Sequence, residues 1–559
     1  MTSPSTQPPS TQAVSAGQAC AEAGGAGRRS LDAGTWWMTA LPPVVTFVIM
    51  LWGITGSSYW RDEAATMSAA QRPLGNLLRT LGNIDAVHGA YYLLIWVMVH
   101  VGGSGEFVTR LPSAVAMACA AAAVVAIGRR LISPRAGLAS GLVFAVLPEV
   151  SLYGQDARPY AIVVALAALA SYLLVRVMDA EPAGRHRWLI GYALCLAALG
   201  IVDIFGLLLI TAHAVTVGLR WRREAGPVRA GGPGLAGRTA ASDRTAAAGR
   251  TAASDRTAAS DRTAASDRAE RGGRDARSLA LGWLAAAVAG VLLTSPVLAL
   301  GYVQRGTLSW LTPPNLAAIT GLHYLVGPAA MAGAVVLAVA AGIVVSALPA
   351  RERLRANWPG SVPALCLPWL ILPPALLLAA SVITPVYTLR YVLLCMPAIA
   401  LLAGAGLASL GWVAGTAGLV VIALLGVPMQ QQVRTPDGHM DNIRQADRIV
   451  ADNRRPGDAV LEFKAENFAQ AYPYGIRQLM PIAQAESPVQ SATLVGTFLP
   501  GPVVRQRLAH VSRVWVVEYG HRSPLVILNG LDFRLVRKWK VSDIWLFLYE
   551  HPVAGGASP

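Results

Sequence analysis

Tyr59-Trp60-Arg61-Asp62-Glu63 sets two adjacent carboxylates just beyond a long apolar run, and the other residue types able to do chemistry recur in a few short segments. Asp85 and His88 follow in the next polar stretch, and Glu149, Gln155, Asp156 and Arg158 cluster where a later apolar run ends. Asp203, Arg305, His323 and Arg390 stand at the ends of further runs. Carboxylates can take a proton from a hydroxyl, and Arg or His can hold an anion. No Ser/His/Asp arrangement, CxxC pair or His/Cys cluster accompanies them, so neither a hydrolase triad nor a structural zinc site is indicated. Each residue also has a plainer reading. Asp62 would cap the following helix, Arg158 would pair with Asp156 or Glu149, His88 would be a hydrogen-bonded loop histidine, and Arg390 would snorkel from a span end. Tyr153, Tyr160 and Tyr391 would be interfacial belt aromatics.

The elements that must position these groups are membrane spans. Hydrophobic residues make up 54% of the 559 and charged ones 14%, and the mean hydropathy is +0.47, which excludes an ordinary soluble protein. Apolar runs long enough to cross about 30 Å of hydrocarbon lie near 40–57, 111–128, 136–154, 160–177, 187–202, 204–219, 279–301, 327–348, 362–382, 389–406 and 409–428. The expectation is an all-α polytopic membrane protein of about eleven transmembrane helices, followed by a small α/β domain.

Arginine sets the orientation. Arg28 and Arg29, Arg129, Arg130 and Arg135, Arg176, Arg185 and Arg187, Arg220, Arg222 and Arg223, and Arg351, Arg353 and Arg355 fall in every second loop. Basic loops face the cytoplasm, which puts the N-terminus inside, and residues 430–559 and the Asp62-Glu63 pair outside. The outer ends of the spans then gather a wet, mixed-charge pocket. The apolar stretch from His88 to Gly102 has outer residues on both sides, so it is expected to lie along the interface.

The remaining organisation is simple. Residues 1–36, rich in Ser, Thr, Ala and Gly, are expected as a disordered cytoplasmic tail before an uncleaved first span, with 37–429 as the transmembrane domain. Within it, 220–278 reads as a low-complexity cytoplasmic loop whose Arg-Thr-Ala-Ala-Ser-Asp repeat, Arg238 to Asp267, is expected to be a solvated linker. That loop holds 13 Arg against 7 acidic residues, so topology accounts for much of the net charge of +15 and nucleic-acid binding is not expected. Cys20 lies in the tail and Cys119, Cys195, Cys366 and Cys395 in spans, which leaves no extracellular disulfide. Beyond residue 430, Ala459-Val460-Leu461, Val514 to Val517 and Ile544 to Leu548 read as strands and Met440 to Asn453 as a helix, in a domain expected to dock or to recognise an acceptor.

Several of these segments resemble one family. Trp60-Arg-Asp62-Glu63, Asp85-Ala-Val-His88-Gly-Ala-Tyr91-Tyr92, Glu106-Phe107-Val-Thr-Arg110-Leu111-Pro112-Ser113, Gly128-Arg129-Arg130-Leu131, Tyr153-Gly-Gln155-Asp156-Ala-Arg158-Pro-Tyr160 and Thr388-Leu-Arg390-Tyr391 occur in order. They resemble the GT-C membrane glycosyltransferases, in the bacterial branch related to protein O-mannosyltransferases and the lipid A aminoarabinose transferase. His88-Gly-Ala departs from that branch, which there shows a basic residue followed by two prolines.

The resemblance implies a sugar carried on a polyprenyl phosphate. The chain has neither a Walker loop nor a dinucleotide fingerprint. It further implies Asp62 as the base, with Glu63 orienting it or touching the acceptor. His88, Arg158 and Arg390 would bind the donor phosphate, and Asp85, Tyr153, Gln155, Asp156 and Tyr160 would line the substrate pocket. The family by motif suggests no metal and no cofactor, although carboxylates in an outer loop are compatible with a divalent ion. The expected activity is inverting transfer of a sugar, mannose before an aminosugar or a pentose, to a protein, lipid or polysaccharide hydroxyl outside the plasma membrane. The rivals are a lipid or sugar transporter and a non-catalytic envelope scaffold.

Overall fold

The computed structural model describes residues 36–225, 247–315, 320–347, 362–463, 465, 467–520 and 525–551. The expected N-terminal tail up to residue 35 and the first part of the hexapeptide repeat, up to residue 246, lie outside them.

Apolar runs become helices because a bilayer requires every backbone N–H and C=O to be paired within the segment. Among the described residues, eight helices are long and apolar enough to span, or nine if the bent pair Pro134–Val146 and Pro148–Gly154 is one span. The eight are Glu106–Leu131, Tyr160–Asp179, Ile204–Arg222, Gly272–Val303, Ala329–Ser346, Val362–Ser381, Leu389–Ser409 and Gly411–Val433. The other two of the eleven expected places are also helical. Trp37–Leu51 has only 15 residues, and Arg185–Val202 carries Arg185, His186 and Arg187 in its first turn. The 64° bend falls at Pro148, whose ring removes a backbone donor.

The repeat departs from expectation. Its described part continues the 57-residue helix Ala247–Val303 instead of forming a linker, in keeping with the high helix propensity of Ala and Arg.

Small residues draw the bundle together, as they do where lipid is no less apolar than a leucine side chain. A Cβ on Gly406 would fall on the Ala338 carbonyl, and one on Gly404 on Ser140. Leu389–Ser409 is accordingly the most enclosed span, with Arg390 at its first turn.

Four helices near the site take labels: α1 (Arg61–Ala70), α2 (Leu74–Asn83), α3 (Gly89–Gly102) and α4 (Glu106–Leu131). At 14 residues α3 is too short to span, and both its ends touch the same end of the bundle. Tyr92 bonds Asp85 near its start, and Tyr59 bonds the Ser104 carbonyl just past its finish.

The described residues of the C-terminal region form seven strands: β1 (Ala459–Phe463), β2 (Met480–Pro481), β3 (Gln484–Glu486), β4 (Thr497–Phe498), β5 (Arg513–Tyr519), β6 (Arg534–Val541) and β7 (Ile544–Glu550). Five form a mixed sheet in the order β2-β1-β5-β7-β6, parallel through β2, β1 and β5 and antiparallel through β7 and β6, while β3 and β4 pair separately. Helix Ile443–Asn453 packs on one face. That core also takes in Tyr59, Ala64 and Met67, so the sheet domain and α1 share one apolar cluster.

Candidate active site

Helix α1 starts at the carboxylate pair for local reasons. Trp60 has extended backbone at the N-cap, and Glu63, at the third helical position, reaches back to the Trp60 N–H at 3.4 Å. Asp62 and Glu63 both stand in the first turn, where negative charge complements the helix dipole. The two side chains then part.

Glu63 is fully buried. Arg110 of α4 grips it with Nε to Oε1 at 2.8 Å and Nη2 to Oε2 at 2.7 Å, and the Ala157 N–H donates to Oε1 at 2.7 Å. Arg110 is itself fully buried, and its other donors reach the carbonyls of Ile54, Ser57 and Ser58 at 2.9 to 3.0 Å. Glu63 and Arg110 thus fix the backbone before α1 and the turn at Ala157. Acceptor contact by Glu63 is not what this geometry offers, because its lone pairs are occupied and it is sealed from solvent.

Asp62 keeps a partly exposed carboxylate, 16% accessible, whose Oδ2 pairs with Nη1 of Arg390. Arg390 sits among the rings of Trp60, Tyr160 and Trp310, 5.9, 5.9 and 5.1 Å from its guanidinium carbon. Arg158 lies alongside: Nη1 is 3.5 Å from the Asp62 carbonyl and 3.4 Å from the Thr66 and Tyr92 hydroxyls, and Nη2 is 3.2 Å from Nε2 of His88. Nδ1 of His88 is 2.8 Å from Oδ1 of Asp85, whose Oδ2 accepts from Tyr92 at 2.5 Å. Burial raises the Asp85 carboxyl, but His88 and Arg158 outweigh it and hold the group below the usual carboxylate range. The Nε atoms of Arg158 and Arg390 are buried without a partner. The Asp62 carboxylate and three cationic or protonatable groups therefore converge, as a base and an anion cradle would.

The other expected pocket residues fare differently. Gln155 is fully buried and donates to the Met50 and Trp52 carbonyls at 2.7 and 2.8 Å, so it ties the bent span to the first helix and presents nothing to a solute. Asp156 is buried behind Trp60, accepting from its Nε1 at 3.0 Å; burial first, then Glu63, push its carboxyl up. Tyr160 packs edge-on against Tyr153 and lies beside Arg390, so both rings form the wall near the cradle. Neither Arg305, which bonds the Tyr302 carbonyl, nor His323, which bonds that of Thr320, has a contact with Asp62 among the described residues.

His439 gave no signal in the sequence, since it stands alone in a polar turn. It is buried, its ring nitrogens have no hydrogen-bond partner among the described residues, although Nδ1 lies 3.9 Å from Oε2 of Glu63, and burial first and Arg110 second depress its pKa. Glu63, Asp156 and His439 bring ligand atoms within 4.8 Å of one another. A divalent cation there would compete with Arg110, which already neutralises Glu63 in both oxygens, so this set fits a metal poorly.

Residues 89–220 match the sequence profile of the dolichyl-phosphate-mannose-protein mannosyltransferases. Against solved structures, ArnT from Cupriavidus metallidurans bound to undecaprenyl phosphate superposes with a TM-score of 0.55 at 12% identity, over 95% of this chain and 100% of that one. The chain has the GT-C fold. The apo state of the same ArnT agrees, with a TM-score of 0.53 at 14% identity over 92% and 98% of the two chains. No curated protein matches the chain. Within the GT-C fold, the profile match takes in Arg110, Asp156 and Arg158, begins one residue after His88, and leaves Asp62, Glu63 and Arg390 outside.

Proposed function

We propose that this multi-pass membrane protein is a glycosyltransferase that moves a sugar from a polyprenyl-phosphate donor to an acceptor hydroxyl, inverting the anomeric centre. The observation that carries the reading is the convergence of the Asp62 carboxylate with Arg158, Arg390 and His88 at a single end of a GT-C bundle. Asp62 takes the proton of the attacking hydroxyl. Arg158 and Arg390 hold the phosphate that departs, their forked N–H groups matching its oxygens. Glu63 and Arg110 do not touch substrate; they set the position of α1 and hence of Asp62. Asp85 orients His88, and Tyr153, Tyr160 and Trp60 wall the pocket.

Three considerations support the finer points. The matched family is named for a mannosyl donor on dolichyl phosphate, which favours mannose on a polyprenyl carrier, and one solved GT-C relative is bound to undecaprenyl phosphate. The alternation of basic loops favours a cytoplasmic N-terminus with the site and the sheet domain outside the plasma membrane. Protein, lipid and polysaccharide acceptors all present a suitable hydroxyl.

The test is to reconstitute the protein in liposomes with radiolabelled polyprenyl-phosphate mannose and an envelope extract. Label should pass to the acceptor fraction with wild type. Movement of the intact lipid between leaflets without transfer would replace this reading with a transporter.

A further inference from the structure

We propose that His88 is the acid of the transfer, giving its Nε2 proton to the phosphate as that group leaves the sugar, with Asp85 and Tyr92 as positioning residues. This rests on the transfer reading above. The geometry begins at Asp85, which among the described residues is the acceptor for Nδ1 of His88, at 2.8 Å. Its second oxygen is fixed by the Tyr92 hydroxyl at 2.5 Å, and the two side chains of the dyad are 14% and 17% exposed, Asp85 and His88 in that order. A carboxylate there requires the proton on Nδ1, so the ring turns Nε2 toward the cradle. Nε2 is 3.2 Å from Nη2 of Arg158, and a guanidinium only donates, so against Arg158 Nε2 stands as the acceptor. A phosphate seated on Arg158 gives that donor an anion to point at and frees Nε2 to carry a proton of its own.

Among the described residues, the charged and titratable groups near the ring come from four places. Asp85 and Tyr92 belong to its own segment, and Arg158 comes from the turn before Tyr160–Asp179. Asp203 approaches from the end of Arg185–Val202, close enough to feel the charge of His88. Asp62 and Arg390 lie beyond Arg158. Gln304, just past the long helix, is neutral and bonds the Ala86 N–H and the Leu81 carbonyl, and Leu81 of α2 lies against Gly89.

The step balances as follows. The acceptor oxygen bonds to the anomeric carbon and its proton passes to Asp62. The bond from that carbon to the phosphate oxygen breaks, and its electron pair stays on the phosphate. That second negative charge takes the Nε2 proton of the His88 imidazolium, which leaves neutral imidazole and polyprenyl hydrogen phosphate. Imidazolium and hydrogen phosphate are both groups that exchange a proton in the neutral range, so a proton can pass between them. A lysine at this position would hold the phosphate by charge but give up no proton near neutral pH.

The experiment is the pH dependence of kcat, from pH 5.5 to 9, for the reconstituted enzyme with polyprenyl-phosphate mannose. Wild type should lose about tenfold per pH unit above the histidine titration. His88→Lys should be slower near pH 6 yet flat across the alkaline range, and His88→Gln should lose about a hundredfold near pH 6. Asp85→Asn, which removes the carboxylate partner, should move the wild-type limb to lower pH. A wild-type profile flat to pH 9, an alkaline limb unchanged in His88→Lys, or wild-type kcat in His88→Gln would each overturn the proposal while leaving the transfer reading intact. Absence of transfer at every pH would overturn both.

Discussion

At Glu63 both carboxylate oxygens are engaged by Arg110 and the Ala157 amide, whereas Asp62, one residue earlier, keeps a partly exposed carboxylate against Arg390. The difference comes from α1, on which neighbouring residues point about 100° apart. Glu63→Gln should leave a buried guanidinium uncompensated, a loss of about 3–5 kcal/mol, and thermal unfolding should show it as a lowered Tm; an unchanged Tm would mean the pair is not structural. Asp156 points the other way. Burial and Glu63 raise its carboxyl, so the folded state opposes its ionisation, and stability falls as pH rises from the unfolded carboxylate range toward the folded value. Asp156→Asn, which keeps an acceptor for Trp60, should therefore raise Tm at pH 7 and not at pH 3. Sequence could name these residues because ionisable groups are rare beside apolar runs. It could not separate them by role, since burial depends on partners such as Arg110, 47 positions away from Glu63. His439 was invisible for the same reason.

Between elements, the sheet domain is fastened to α1 and α2. Ser68 bonds the Leu494 carbonyl at 2.7 Å, Asn76 that of Val489 at 3.0 Å, and Tyr472 accepts from the Tyr59 N–H at 2.9 Å. Arg72 is the buried hub, joining the Ser68 carbonyl and hydroxyl, the Thr80 hydroxyl and the Thr493 carbonyl. The domain expected as a docking module is thus a brace for the helix that carries Asp62. Arg72→Ala should loosen residues 487–497, read as faster hydrogen exchange there and in α1 than in Leu389–Ser409; unchanged protection would contradict the brace. The long helices were legible because periodicity is not needed when a whole run is apolar. Helices α1 and α2 were not, being short and mixed in composition, held by contacts more than 400 residues away in the chain.

Over the whole molecule, the GT-C fold gathers Asp62, Arg158 and Arg390 at one end and its arginine-rich turns at the other, where Arg130 pairs with Asp179 and Arg185 with Asp275. The proposed orientation predicts that a cysteine at exposed Asp532 reacts with a membrane-impermeant maleimide in intact cells; reaction only after permeabilisation would reverse the topology. The class of fold was readable from composition, the span count only nearly so, because Trp37–Leu51 is short and Pro148 bends its span. The central claim, that Asp62 is the base at a lipid-phosphate site, is tested most directly by single-turnover transfer from saturating polyprenyl-phosphate mannose, with donor binding measured in parallel. Asp62→Asn should bind donor comparably and transfer sugar about 10²–10⁴-fold more slowly, whereas transfer at the wild-type rate would contradict the account.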